Sequence, residues 1–155
     1  MSIVSTNVPY TSDILRQNLS LLLRTYPFLN LQTVGNSVLG KPIYVIKLGR
    51  GPKKVFYSGA IHANEWITTT VLMKFIEDYC ISYARRTELY GYSVRNLFNS
   101  TSIYIMPMVN PDGVDLVTGN MQVASPSYQK ALHIANQFSS IPFPDGWKAN
   151  LNGVD

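Results

Sequence analysis

The chain has 155 residues but only one cysteine and two histidines. A single thiol, Cys80, excludes an internal disulfide bond and is typical of a reducing compartment, or of a bacterial protein that does not rely on disulfides. We expect Cys80 to pack in the core as a small hydrophobic side chain. The two histidines are His62 and His133, so a metal site that uses imidazole has few candidate ligands.

Long apolar runs and a clustered basic surface are also absent. No stretch approaches the roughly 20 apolar residues that a membrane-spanning helix needs, and residues 1–9 lack the basic and apolar regions of a secretory signal. We therefore expect no membrane contact and a cytoplasmic bacterial location, with cell-wall or spore association open for a longer parent. The 13 lysines and arginines are scattered, so no nucleic-acid partner is expected.

The composition does allow a core, because 46% of the residues are hydrophobic and 14% are charged. The length fits one domain. The predicted elements, in order, are a helix ending before Pro27, two strands within 33–48, a strand at 54–61, a helix at 65–83, a strand at 102–109 and a helix at 128–138. This order predicts the α/β class, with a mixed β-sheet and helices on both faces.

Two expectations concern details of these elements. In the helix at 65–83, the residues Ile67, Val71, Phe75, Ile76, Tyr79 and Cys80 form the predicted buried stripe. Glu77 and Asp78 are then expected on the solvated face. Residues 110–113 (Asn-Pro-Asp-Gly) are predicted as a turn that ends a strand, and the residues up to 127 as a loop.

The strongest functional signal lies in residues 59–66 (Gly-Ala-Ile-His-Ala-Asn-Glu-Trp). His62 and Glu65 follow an apolar strand, and imidazole and carboxylate are ligands that zinc takes in hydrolytic sites, usually three from the protein with water in the fourth position. Catalytic groups gather at the carboxyl ends of strands in open α/β sheets. On spacing alone, however, the simpler interpretation is that Glu65 is a first-turn residue that favours the positive end of the helix dipole.

Together with residues 108–113 (Met-Val-Asn-Pro-Asp-Gly) and 152–155 (Asn-Gly-Val-Asp), this motif resembles the zinc carboxypeptidase family. Within the family the chain is most similar to bacterial γ-D-glutamyl-L-diamino-acid endopeptidases, which cut peptidoglycan stem peptides. The resemblance runs over nearly the whole chain. It implies a zinc-carboxypeptidase-like fold, Zn²⁺ as cofactor and a peptide substrate, most simply a cell-wall stem peptide. It also implies that His62 and Glu65 are the first two zinc ligands.

The resemblance assigns two further positions, and both depart from the family. Lys148 falls where the family typically carries an arginine that polarises the scissile carbonyl, and a lysine replaces its bidentate fork by a point charge. Asn64, predicted to bind substrate, stands where digestive members carry an arginine that grips the terminal carboxylate. Both changes argue against an ordinary C-terminal carboxypeptidase.

The family's third zinc ligand and its general-base glutamate have no counterpart in the sequence. His133 is expected to be an exposed or half-buried helical residue and not a ligand. We therefore interpret residues 1–155 as the N-terminal part of a catalytic domain, truncated, and expect the isolated chain to be inactive. Two other readings stay open: a non-catalytic fragment with weak metal affinity, and an aspartoacylase-like zinc deacylase, which Trp66 and residues 110–113 disfavour.

Overall fold

Five helices and six strands make up the computed structural model, which describes residues 2–138 and 140–155. In chain order they are α1 (Ser12–Thr25), β1 (Asn30–Asn36), β2 (Pro42–Leu48), β3 (Lys53–Ser58), α2 (Ile67–Arg85), β4 (Glu88–Leu89), β5 (Tyr92–Ser93), α3 (Val94–Ser100), β6 (Thr101–Met106), α4 (Pro111–Val117) and α5 (Pro126–Ala135). A short 3-10 helix, Ala63–Glu65, precedes α2. Within the described ranges, none of the helices has the length and apolar content needed to span a bilayer.

The main sheet has the order β1-β2-β6-β3 and is mixed. The β1–β2 and β2–β6 pairs are antiparallel, while β3 runs parallel to β6 because α2 and α3 carry the chain back between them. β4 and β5 form a separate small hairpin. The predicted α/β class with a mixed sheet and helices is therefore confirmed.

Pairing between β3 and β6 continues past the ends of both strands. Gly59 N donates to Met106 O (2.9 Å), Val109 N donates to Gly59 O (3.0 Å) and Asn110 N donates to Ala60 O (3.0 Å). These bonds hold the residues just before His62 beside the residues just before α4. The carboxyl ends of the two parallel strands therefore meet where the predicted site residues lie.

Two hydrophobic clusters form the core. The larger joins α1, the sheet, α2 and α3 through side chains such as Leu19, Leu48, Ile76, Phe98 and Ile105. Cys80 lies in this cluster as predicted, and burial raises the pKa of its thiol to about 12. The smaller cluster packs α4, α5 and the C-terminal segment against the 3-10 helix, and its members are Ala63, Leu116, Ala131, Ala135, Trp147 and Leu151.

The predicted faces of α2 are wrong in part. Ile67 and Val71 are 51% and 63% exposed, whereas Glu77 is 1% exposed. Glu77 is buried because the N-terminal segment packs on α2: the Glu77 carboxylate accepts hydrogen bonds from Ser2 Oγ (2.6 Å) and from Ile3 N. A carboxylate with such partners can be buried, and helical periodicity cannot reveal contacts with residues more than 70 positions away.

The predicted loop after Asn110 is also wrong, because this segment begins with α4. The Asn110 side chain accepts from Gly113 N (3.0 Å), and Pro111 occupies the first turn. Asparagine at an N-cap followed by proline is a favoured helix start. The helix buries Asp112 and Asp115, and Lys41 pairs with both carboxylates.

Candidate metal and substrate site

The segment before His62 bends sharply, because Ala60 adopts a left-handed backbone with φ of 47°. This conformation is uncommon for a residue with a side chain. It is held by two hydrogen bonds, from Asn110 N to Ala60 O (3.0 Å) and from Ala60 N to Thr68 Oγ1 (2.7 Å). The bend turns the chain out of the sheet and into the 3-10 helix, whose N-cap is His62.

His62 and Glu65, the two predicted zinc ligands, face each other. His62 Nδ1 lies 2.9 Å from Glu65 Oε1, and the two side chains are 38% and 46% exposed. The donor atoms of both candidate ligands are therefore adjacent and open to solvent. A spacing of three residues across a 3-10 turn places both side chains on one side of the segment.

Asp155 adjoins the other edge of the same imidazole. Its Oδ1 lies 3.5 Å from His62 Nε2, so the ring stands between two carboxylates. Histidines that bind metals usually direct their second ring nitrogen to a carboxylate, a carbonyl or water, which fixes the orientation of the ring. Reasoning from the sequence missed this residue, because Asp155 is 93 positions from His62 and was noted only as the end of a motif.

The donor set fits two of the three protein ligands of a catalytic zinc. A zinc ion bonded to nitrogen at about 2.0 Å and to oxygen at about 2.1 Å, with a tetrahedral angle, separates these atoms by about 3.4 Å. The observed 2.9 Å therefore has to widen by only about half an ångström. Among the described residues, no group of three His, Cys, Asp or Glu side chains is arranged to hold a metal.

His133 does not supply the missing ligand in this structure. It lies exposed in the last turn of α5. It is also absent from the cavity beside His62, which has a volume of about 300 Å³ and includes Ser37, Asn110, Lys148 and Asn150 in its lining. A larger cavity, of about 570 Å³, lies against α2 and β3 but contains none of the predicted site residues. We assign the site to the smaller cavity because its lining brings together the imidazole of His62, the ammonium of Lys148 and the carboxylate of Asp155.

Lys148 is brought to His62 by main-chain contacts. Ala63 N donates to Lys148 O (2.9 Å), and Asn110 Nδ2 donates to Ala149 O (3.1 Å). Trp147, only 6% exposed, anchors the same segment in the smaller core cluster. The Lys148 side chain is exposed and lines the cavity with His62, so the structure brings these two predicted residues together.

Asn64 is placed differently from the other three predicted residues. Its Oδ1 is buried and has no hydrogen-bond partner within residues 2–138 and 140–155. Neither Asn64 nor Glu65 is part of the cavity lining, whereas His62 and Lys148 are. Its role in binding substrate therefore stays a prediction.

Comparison with known proteins identifies the family to which the chain is similar. The family model of zinc carboxypeptidases matches residues 15–148. Gamma-D-glutamyl-L-diamino acid endopeptidase 1 of Lysinibacillus sphaericus is 40% identical over 149 residues, which is 94% of this chain and 36% of that protein. An uncharacterized Bacillus subtilis protein, YqgT, is 40% identical over 148 residues, 94% of this chain and 39% of that protein.

Solved structures show the same fold. Bovine thrombin-activatable fibrinolysis inhibitor, in complex with tick carboxypeptidase inhibitor, superimposes with a TM-score of 0.62 at 19% identity, covering 94% of this chain and 38% of that one. The chain thus spans less than two fifths of the length of each of these three proteins. Since the family model covers most of its residues, the chain belongs to the zinc carboxypeptidase family.

Proposed function

We propose that this chain supplies two zinc ligands and an oxyanion-stabilising cation to a metallopeptidase site. The observation that carries the proposal is the pair of donor atoms on His62 and Glu65, which face each other 2.9 Å apart. His62 also lines a cavity together with Lys148. The family match supports hydrolysis of a peptide bond over the aspartoacylase-like deacylation that the motif also fits.

Each residue has a distinct role in this proposal. A zinc ion bound here would polarise the substrate carbonyl and lower the pKa of water. His62 Nδ1 and Glu65 Oε1 would hold the ion, and Asp155 would keep the imidazole oriented toward it. The Lys148 ammonium would stabilise negative charge that develops on the carbonyl oxygen.

The substrate that we propose is the γ-D-glutamyl-diamino-acid bond of a peptidoglycan stem peptide. Asn64 supports it, because this side chain cannot make the bidentate contact with a terminal carboxylate that arginine makes. Lys148 still offers a cation to the carbonyl oxygen, although without the fork of arginine. Asn64 can donate and accept, which suits a substrate with amide and amino groups. The 40% identical relative from Lysinibacillus sphaericus is named for activity on this class of bond.

We further propose that residues 1–155 are the N-terminal part of a catalytic domain and that this polypeptide alone does not turn over substrate. Proton transfer from the attacking water requires a base within hydrogen-bond reach. The two carboxylates that adjoin His62, those of Glu65 and Asp155, are both committed to the imidazole or the metal in our assignment. A second candidate, a non-catalytic fragment with weak zinc affinity, is favoured by the absence of a third ligand among the described residues.

A chimera tests this function. In it, our chain replaces the matched 149 residues of the Lysinibacillus sphaericus endopeptidase. We expect zinc-dependent cleavage of a γ-D-glutamyl-diaminopimelate peptide, lost in His62→Ala and in Glu65→Gln, and poor cleavage of hippuryl-type carboxypeptidase substrates. A folded chimera that binds zinc but cleaves neither substrate would favour the non-catalytic candidate.

A further inference from the structure

Three consecutive threonines at the start of α2 have different surroundings. Thr68 Oγ1 accepts a hydrogen bond from Ala60 N (2.7 Å) and donates one to Glu65 O (2.8 Å). Thr69 Oγ1 donates to Pro107 O (2.7 Å), in the sheet-side core. Thr70 Oγ1 is buried without a partner among the described residues. Only the first of the three hydroxyls contacts the segment that carries His62 and Glu65.

One of the two bonds of Thr68 is ordinary for a helix, and the other is not. A threonine hydroxyl in a helix commonly donates to the carbonyl three or four residues earlier, as Thr68 does to Glu65. The bond from Ala60 N instead spans eight residues and reaches back across the whole loop. The hydroxyl has one proton to donate, so its roles as acceptor toward Ala60 and donor toward Glu65 are fixed together.

The Ala60 amide depends on this hydroxyl. Ala60 is 1% exposed and holds a left-handed conformation, so its N–H cannot turn to water without a change in the backbone. A buried N–H left without a partner is destabilising, and the loop would rearrange to satisfy it. His62 is only two residues further along, so a rearrangement at Ala60 moves the imidazole directly.

We propose that Thr68 is a positioning residue for the candidate zinc ligands. Its hydroxyl joins the two ends of the segment 60–65, and this fixes His62 Nδ1 opposite Glu65 Oε1 before a metal arrives. The proposal rests on the proposed function, since it assigns Thr68 to the same site. Thr68 itself is not part of the lining of the cavity beside His62, so we assign it a positioning role and not a catalytic one.

The three threonines provide a matched set of variants. Thr68→Val keeps the shape and removes the hydroxyl, and Thr68→Ser keeps the hydroxyl. Thr69→Val removes a buried hydroxyl bond elsewhere, and Thr70→Val removes a hydroxyl without a described partner. All are made in the 155-residue chain with His133→Gln, so that the one remaining imidazole signal belongs to His62.

Two signals are recorded by NMR: the ring resonances of His62 without metal, and their change on titration with zinc chloride. We expect Thr68→Val to shift the metal-free ring resonances and to weaken zinc binding at least tenfold, the size of effect that outer partners of metal ligands have. Thr68→Ser should restore both. Thr69→Val should lower the melting temperature but leave the ring signals and the affinity within twofold of the parent.

Several results would overturn the proposal. They are unchanged metal-free His62 signals in Thr68→Val, an equal change in Thr69→Val, or no restoration in Thr68→Ser. If Thr68→Val does not fold, hydrogen exchange of the Ala60 amide in the parent chain decides. Slow exchange supports the hydrogen bond from Ala60 N to Thr68 Oγ1, and exchange at the rate of a free amide refutes the proposal. If parent His62 does not respond to zinc, the proposed function fails, while the metal-free comparison still tests Thr68.

Discussion

Zinc should bind to this 155-residue chain through His62 and Glu65, but weakly. A structural zinc with four protein ligands gains roughly 10–16 kcal/mol at neutral pH. A site with two of those ligands, each more than a third exposed, should gain about half as much, or about 5–8 kcal/mol. This corresponds to a Kd between about 200 µM and about 1 µM.

Isothermal titration with zinc tests this estimate, with variants that separate the candidate ligands. His62→Ala and Glu65→Gln should each weaken binding below detection, since one remaining ligand gives little affinity. His133→Gln should leave the Kd unchanged, because His133 lies exposed on α5 and outside the cavity. Nanomolar binding that His62→Ala abolishes would refute the two-ligand reasoning and would require a third ligand, from His133 or from a second copy of the chain.

Three other predictions follow from the contacts described above. Asp155→Asn should weaken zinc binding about tenfold in the same titration, because Asp155 acts through the His62 ring. The melting temperature should stay within about 2 °C of the parent, since Asp155 is exposed. An unchanged affinity would contradict the role of Asp155 in orienting the imidazole. Glu77→Gln should lower the free energy of unfolding by about 2–3 kcal/mol at pH 7, because a charged acceptor of hydrogen bonds becomes neutral. Burial raises the pKa of Glu77, but hydrogen bonds from Ser2, Ile3 and Lys74 outweigh burial, so the pKa is lowered overall. The loss of free energy of unfolding in Glu77→Gln should therefore be full above the ordinary pKa of 4.5 and shrink as the pH falls below it. Urea denaturation at several pH values measures this loss. In the chimera, Asn64→Arg should lower the ratio of kcat/KM for stem peptides over hippuryl substrates, and an unchanged ratio would remove Asn64 from the specificity argument.

Sequence reasoning succeeded where the decisive contacts are local. The first helix ends before Pro27 as predicted, and the contact between His62 and Glu65 forms across three residues. Lys148 was located through the resemblance to a family, since nothing in its immediate neighbours indicates a site. The error at the start of α4 concerns a local signal, because Asn110 followed by proline is compatible with a turn as well as with a helix start.

The burial of Glu77 and the contact between Asp155 and His62 could not be predicted in this way. Both join residues more than 70 positions apart, so neither leaves a periodic or spacing signal in the chain. A buried carboxylate looks like any other acidic residue of a helix until its donors are known, and here two of the donors come from residues 2–3. Contacts between polar groups that are distant in the chain therefore cannot be predicted from the sequence pattern, whereas helix caps and strand ends can.

The three motifs that carry the family resemblance lie close together in the fold. Residues 59–62 and 108–110 are joined by the continuation of β3–β6 pairing. Gly113 lets α4 approach the 3-10 helix, because a Cβ there would lie 2.7 Å from Ala63 Cβ and 2.6 Å from Asn110 Nδ2. That approach leaves Asn110 free to bind Ala149 O and Ala63 N free to bind Lys148 O. The Asn-Pro-Asp-Gly motif thus lets α4 lie close to the 3-10 helix, which bonds to Lys148 O, and we expect a larger residue at position 113 to push α4 and the 3-10 helix apart.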